Sequence, residues 1–217
     1  VQRLTQLGAG DNNTRPTTKT MRLLKDIADV RSGFAFRERP ERAAAHGIRL
    51  VQMRDLDSVT GWVQEEALES IEPPPNWEKH QLRLHDVVLA ARGEKNQAAQ
   101  FGGNTEAIPA SNLLVLRLKP PLVVLPYFLV WYLNLPPTQA RLRQMRTGSN
   151  IPFIPIESLK RLAVPVLSDD MQQHISGLNE LFQTEQRLMT QLLEKKKELM
   201  AGVFQCLLGN ETTSQPI

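Results

Sequence analysis

With 217 residues, 41% of them apolar and 23% charged, the chain can fill one packed domain and carry an appendage besides. Its most apolar run, Leu122 to Leu133, holds Pro126 and falls well short of the roughly 20 residues needed to cross a bilayer, so a buried helix is expected there. The net charge of +3 permits contact with nucleic acid without arguing for it, and the single cysteine, Cys206, excludes an internal disulfide. A reducing compartment fits that cysteine usage, and the polar start has no apolar signal core, so a cytoplasmic location is expected.

Residues 1–20 are rich in Gly, Asn, Thr and charge, have no sustained period, and are expected to form a flexible tail. In MRLLKDIADVRSGFAF, Leu24, Ile27 and Ala28 fall at helical spacing until Gly33 breaks the pattern before Phe34 and Phe36. Arg37, Arg39 and Arg42 follow among Glu38, Pro40 and Glu41, a partly self-neutralised loop. GIRLVQMRDL alternates as a strand, SVTG turns the chain into Trp62 and Val63, and a short helix is expected from Glu65 to Ser70 before the breaker IEPPPNW.

LRLHDVVLAARGEKNQAAQFGG reads as strand, glycine-marked turn and strand, and the unbroken apolar run from Val87 to Ala91 predicts a strand buried on both faces. SNLLVLRLK is a further strand with Leu114, Leu116 and Leu118 on one side. PPLVVLPYFLVWYL predicts an apolar helix and PPTQARLRQMR a second one opened by proline. TGSN is a polar loop, and IPFIPIESLKRLAVPV holds a short helix and a strand. Strands and helices mixed without regular alternation predict an α+β domain over residues 21–167.

From Ser168 to about Leu208 the pattern changes to a seven-residue repeat. Met171, Ile175, Leu178, Phe182, Met189, Leu192, Leu199, Val203 and Cys206 occupy its seam, interrupted at Glu185 and Lys196. Ser168 suits the N-cap, Asp169 and Asp170 the positive end of the helix dipole, and Gly209 the stop before a short tail over 209–217. Some 40 residues make a rod of roughly 60 Å, too long for its own domain to cover. The seam therefore calls for a second helix, from another copy or another protein. Leu181, Leu188, Leu193, Phe204 and Leu207 lie beside the seam and widen it.

Catalytic chemistry is not encoded in any pattern of the chain. His46, His80, His85 and His174 are scattered, and Cys206 has no neighbour at metal-ligand spacing, so no metal site is expected. Neither a phosphate-cradling glycine turn nor a Walker lysine is present. NLPPTQ at Asn134 lacks the aromatic of the Asn-Pro-Pro loop that holds a flipped adenine and is read as a break between helices. Asp86, Glu94 and Lys95 are the nearest approach to a nuclease triad, but the adjacent pair would face opposite sides of a strand. The expectation is a non-catalytic protein. Polar, glycine-bearing loops remain, in RSGFAFR, QMRD, RGEKNQ and RTGSN, with the Arg, Asn and Gln side chains that read base edges.

Taken in order, LKDIADVRSGFAFR, LVQMRDLD, LRLHDVVLAARG, SNLLVLRL, PYFLVWYL, RTGSNIPFIPIESLKRLAVPV and the capped helix with QQHISGLNELF resemble one repeat of the specificity subunit of type I restriction-modification enzymes. The resemblance runs from about Met21 to Leu208. It implies a target recognition domain that reads half of a split site in double-stranded DNA. The long helix would pack antiparallel on a second one and dock the methyltransferase (modification) subunit, which brings S-adenosylmethionine and flips the adenine; no cofactor is expected on this chain. Such a subunit usually carries two domains and two helices, whereas this chain has one set and no internal repeat, implying either a half-subunit that pairs with itself, giving a symmetric split site, or a fragment; the expected helix partner is a second copy or a second specificity half.

Carried over, the DNA-binding candidates are Arg31, Ser32, Gly33 and Phe34 in the first loop; Arg92, Gly93, Lys95, Asn96 and Gln97 in the central turn; and Thr147, Gly148, Ser149 and Asn150 in the third. Arg54, Arg143 and Arg146 are candidate phosphate neutralisers. The helix-pairing candidates are Met171, Ile175, Leu178, Phe182, Met189, Leu192, Leu199 and Val203. A coiled-coil dimerising module that binds another protein is the alternative.

Overall fold

The computed structural model describes residues 20–43, 47–93 and 95–209. The expected tails lie outside these residues apart from Thr20 and Gly209, as do His46 and Glu94. The fold is α+β, with nine strands in three sheets among the described residues and a long C-terminal helix.

The central sheet has the order β2-β8-β5-β6, built from Ala28–Ser32, Leu113–Leu118, Val87–Ala90 and Ala98–Gln100, with every neighbour antiparallel. Two cores lie on its opposite faces, and the apolar run of β5 serves both. Val87 and Leu89 join Leu114 and Leu116 beneath α2 (Pro126–Asn134), where Phe128, Leu129 and Leu133 are buried. Val88 and Ala90 join Leu113 and Val115 beneath Leu56, Leu82 and Phe101. A β-strand alternates its side chains, so only an interior strand between two apolar layers tolerates such an unbroken run.

A second sheet, β4-β3-β7 (Glu69–Ile71, Ile48–Val51 and Ala107–Pro109), pairs β3 antiparallel with β4 and parallel with β7. The third pairs β1 (Thr20–Leu23) with β9 (Ala163–Val166) antiparallel, closing the start of the domain onto its end. Between β1 and β2, α1 is a single turn, Leu24–Ile27, whose Leu24 and Ile27 enter the first core. The helix expected from Glu65 to Ser70 is instead a 3-10 turn over Glu65–Ala67 followed by β4. Leu68 and Ile71 are both buried, but Ser70 and Ile71 are drawn into register with Arg49 and Ile48. The Glu65 carboxylate meanwhile accepts hydrogen bonds from the backbone N–H groups of Gly102 and Asn104. Tertiary pairing overrides a local helical period here.

NLPPTQ does separate two helices, α2 and α3 (Pro136–Gln144), and it also finishes the sheet. β6 is an edge strand with unpaired peptide groups. The Asn134 side-chain amide accepts from Ala98 N at 2.9 Å and donates to Ala98 O at 2.8 Å. The Gln139 amide does the same two residues earlier, accepting from Asn96 N at 3.2 Å and donating to Asn96 O at 2.7 Å. Backbone of Gly61 and Val63 completes the edge at Gln100. Two side-chain amides thus imitate a neighbouring strand, a role with no periodic signal.

After the short α4 (Ile156–Leu159) and β9, the chain enters α5, Asp169–Gly209. Ser168 caps it, its Oγ 3.4 Å from Met171 N. The root of α5 rests on the domain through a polar row. Gln172 is completely buried; its Oε1 accepts from Leu125 N at 2.8 Å, and its Nε2 donates to Leu167 O and Val123 O. Ile175, Ser176, Asn179 and Gln183 are half-buried, and from Thr184 to Leu208 every residue is exposed. Leu178 is 68% exposed, Leu192 56% and Leu199 67%, so the apolar stripe stands clear of the domain.

Candidate nucleic-acid interface

Strand register decides where the polar loops emerge. Ser32 lies opposite Leu114 and Ala90 opposite Leu113, so the C-terminal ends of β2 and β5 flank the start of β8. The loops that leave them, residues 33–36 and 91–97, start at one end of the central sheet. Hairpin 147–153 joins them there. Thr147 and Phe153 exchange backbone hydrogen bonds of 2.9 and 3.0 Å, Phe153 bridges Arg92, and Ile154 N donates to Ala91 O. A Cβ built on Gly93, which has φ +90°, would sit 3.0 Å from Cε of Met53, so QMRD borders the same turn. Gln97 Nε2 donates to Ser58 Oγ at 3.2 Å and brings in the SVTG turn.

The structure separates the candidates in these loops into those that face outward and those that hold the loops in place. Arg92, Gly93, Lys95, Arg143, Thr147, Gly148, Ser149 and Asn150 are exposed or half-buried at the surface, and Gln97 is half-buried. Asn96 does not belong among the base-reading residues. It is fully buried, its Nδ2 donates to Ala90 O at 2.7 Å, and its Oδ1 accepts from Arg146 through Nε at 3.0 Å and Nη2 at 2.6 Å. Arg146 is in turn committed to Asn96, which makes it a clamp between the central turn and the hairpin. Arg54 is largely exposed yet donates to Glu69 at 3.1 Å, a carboxylate it shares with Arg42. Those two guanidinium groups hold Glu69 below the usual carboxylate range, the Arg42 hydrogen bond foremost.

The first loop is corrected more thoroughly. Arg31 turns inward, donating to Lys79 O at 2.6 Å and Gln81 O at 2.9 Å, with Asp86 3.9 Å away. Burial, then the nearby Arg117, lowers its pKa. Gly33 is required by close packing rather than by a ligand, since a Cβ there would lie 2.2 Å from the backbone oxygen of Ala110. Phe34 is half-buried, 4.8 Å from Phe36 and edge-on to His80 at 5.2 Å between ring centroids. Of the four residues only Ser32 faces solvent.

Asp86, the carboxylate nearest a nuclease pattern, is 2% exposed and closed off by Arg117, whose Nε and Nη2 donate at 2.8 and 2.6 Å, and by Arg83 N at 2.9 Å. Both its oxygens are engaged by protein donors, and the pair raises the Arg117 pKa. Ile175, counted in the helix-pairing seam, packs on the domain instead. Sequence reasoning also missed two apolar residues beside the cationic loops: Ile151 is 64% exposed and Phe153 40%. IPFIP reads as an ordinary buried stretch, and only the hairpin geometry turns its first half outward.

Neither a family model nor a curated protein sequence matches the chain. Solved structures do. The HsdS subunit from Thermoanaerobacter tengcongensis aligns with a TM-score of 0.59 at 15% identity over 82% of this chain and 40% of that one. The type I restriction-modification S subunit from M. genitalium gives 0.57 at 16% identity over 95% and 49%. A chain from a structure of type I R-M complex assembly and conformational transition gives 0.69 at 13% identity over 93% and 47%. The molecule therefore has the fold of a type I specificity subunit. It spans less than half the length of these matched chains.

Proposed function

We propose that this chain is a non-catalytic DNA-recognition unit of a type I restriction-modification assembly, reading one half of a bipartite target. The observation that carries the reading is the S-subunit fold, which extends through the domain onto the long helix, with alignments that take in 93 and 95% of the chain. The clustered loops 91–97 and 147–153 form the DNA-facing surface, with Arg92, Lys95 and Arg143 as its outward cations and Gln97, Thr147, Ser149 and Asn150 as its hydrogen-bonding side chains. Backbone glycines at Gly93 and Gly148 allow close approach to phosphates. The stripe on α5 receives a second such helix, from another copy or a second half-subunit, and docks the methyltransferase subunit. S-adenosylmethionine belongs to that partner, and no residue of this chain is assigned to it.

The test is fluorescence anisotropy of a labelled random-sequence duplex, titrated with the protein across a salt series. Each phosphate contact adds about 0.9 to the slope of log K against log salt, so three outward cations predict a slope of about −3. Absence of binding at every salt concentration rejects DNA recognition and leaves the exposed stripe as a protein-pairing surface alone.

A further inference from the structure

Two exposed apolar side chains stand in the middle of the cationic loops. Thr147, Phe153 and Arg92 are successive partners across two antiparallel bridges, so their side chains project from the same face. The Phe153 ring lies beside Gly148, its Cδ1 3.8 Å from where a Cβ would be, and Ile151 is the more exposed of the two apolar side chains. By sequence, loops 91–97 and 146–153 carry the cations Arg92, Lys95 and Arg146 against one carboxylate, Glu94, so their net charge is positive. A protein surface offering an aromatic and a branched aliphatic side chain between cations matches a polyanion with apolar faces in its interior, which describes stacked bases behind phosphates.

The mounting is stiff. Besides the paired Thr147–Phe153 hydrogen bonds, Ile154 is tied to Ala91, and Arg146 grips the fully buried Asn96, whose backbone is clamped in turn by Gln139. A side chain that must pry adjacent base pairs apart needs such a rigid base, because unstacking a step costs about a few kcal/mol that a yielding loop would not deliver.

We propose that Ile151 and Phe153 form an apolar wedge that enters a base step and partly unstacks it, so that this domain deforms the duplex it reads. The inference rests on the DNA-binding reading above and adds to it a consequence for DNA shape: recognition depends on how easily the wedged step opens, with flexible pyrimidine–purine steps favoured.

The experiment uses the full chain with a relaxed, covalently closed plasmid treated with topoisomerase in its presence, read as linking-number change per bound molecule. Anisotropy on random duplex measures binding in parallel. The wild type is expected to unwind the plasmid. Ile151→Ala/Phe153→Ala should abolish unwinding and weaken binding about tenfold, leaving the salt slope unaltered because the cations remain. Phe153→Leu, which retains an apolar wedge, should restore most of the unwinding, and that restoration separates insertion from loss of folding. Binding without unwinding by the wild type overturns the wedge and leaves DNA recognition standing. Equal unwinding by the double variant overturns it too. No binding at any salt overturns both readings.

Discussion

The stripe on α5 allows a quantitative test of pairing by a single substitution, Leu192→Asp. Leu178, Phe182, Met189, Leu192, Leu199 and Val203 are each between 44 and 68% exposed. Burying a large apolar side chain contributes about 1.5–3 kcal/mol, so the half still in water leaves about 1 kcal/mol apiece, or about 12 kcal/mol for the six positions on two facing helices. That sum is of the same order as the roughly 4–15 kcal/mol that association costs, so pairing depends on the whole seam and no position is dispensable. An aspartate at 192 removes the apolar contribution and places a carboxylate in a dry seam, about 3 kcal/mol per copy and about four decades in the dimer constant. In the isolated chain the same change meets only solvent and costs about 0.5 kcal/mol of helix propensity. Sedimentation velocity should show a concentration-dependent dimer, or a stable complex with the methyltransferase, that Leu192→Asp abolishes while the monomer remains folded by circular dichroism and loses the concentration dependence of its melting temperature. Gln191→Asp, one residue away and off the seam, should behave as wild type. If both variants sediment alike, or the wild type stays monomeric and binds no partner, the seam is not an interface.

Three further outcomes follow from the domain. Asp86→Ala leaves Arg117 and Arg31 without their shared carboxylate and should cost about 3–5 kcal/mol in denaturant unfolding, with some of the loss recovered by adding Arg117→Leu. Arg143→Ala should lower the salt slope of DNA binding by about one, whereas Arg146→Ala should weaken binding with the slope retained, because its guanidinium holds Asn96. Burial, reinforced by Arg31, depresses the His80 pKa below the ordinary imidazole value. The folded state therefore resists a proton that the unfolded chain accepts, and stability present above about pH 6.5 should decline as the pH falls through that value toward the folded pKa. Thermal melts of His80→Gln over the same range should be flatter; parallel curves for the two proteins would contradict this.

Elements whose burial is periodic could be read in advance, and those defined by pairing could not. The Val87–Ala91 run, the Leu114/Leu116/Leu118 alternation and the apolar proline-opened helix α2 announce how their side chains meet an apolar layer, and the heptad repeat announces the long helix α5. β7 is three residues long, and Glu65–Ser70 carries a helical period that strand register overrules. At the candidate interface, the composition of RGEKNQ and RTGSN marked loops that the fold brings together. It could not separate outward from inward members, because asparagine serves a base edge and a buried carbonyl equally well. Asn96 took the second role and Arg31 followed it into the protein. Gln172, Asn134 and Gln139 were invisible for the same reason: an amide that satisfies backbone groups leaves no pattern in the chain.

The polar root of α5 also sets how the helix leaves the domain. The row facing the domain, Gln172, Ser176, Asn179 and Gln183, lies one residue after the heptad row Met171, Ile175, Leu178 and Phe182, a rotation of about 100° around the helix, and of that heptad row Ile175 also packs on the domain. From Leu178 onward the stripe therefore points to one side of the domain-facing row, and its apolar members stay exposed through Val203. An apolar root would have merged the two rows and let the helix roll. One buried glutamine fixes its rotation: the Gln172 amide accepts from Leu125 N and donates to Val123 O in the segment that leads into α2, and donates to Leu167 O just before α5. From α2 and α3, Asn134 and Gln139 reach the edge that runs from Asn96 into β6, next to loop 91–97. The direction of the rod and the placement of the loops are thus set by the same small group of amides, so on the proposed pairing the spacing between two domains depends on the buried polar contacts of each as much as on rod length.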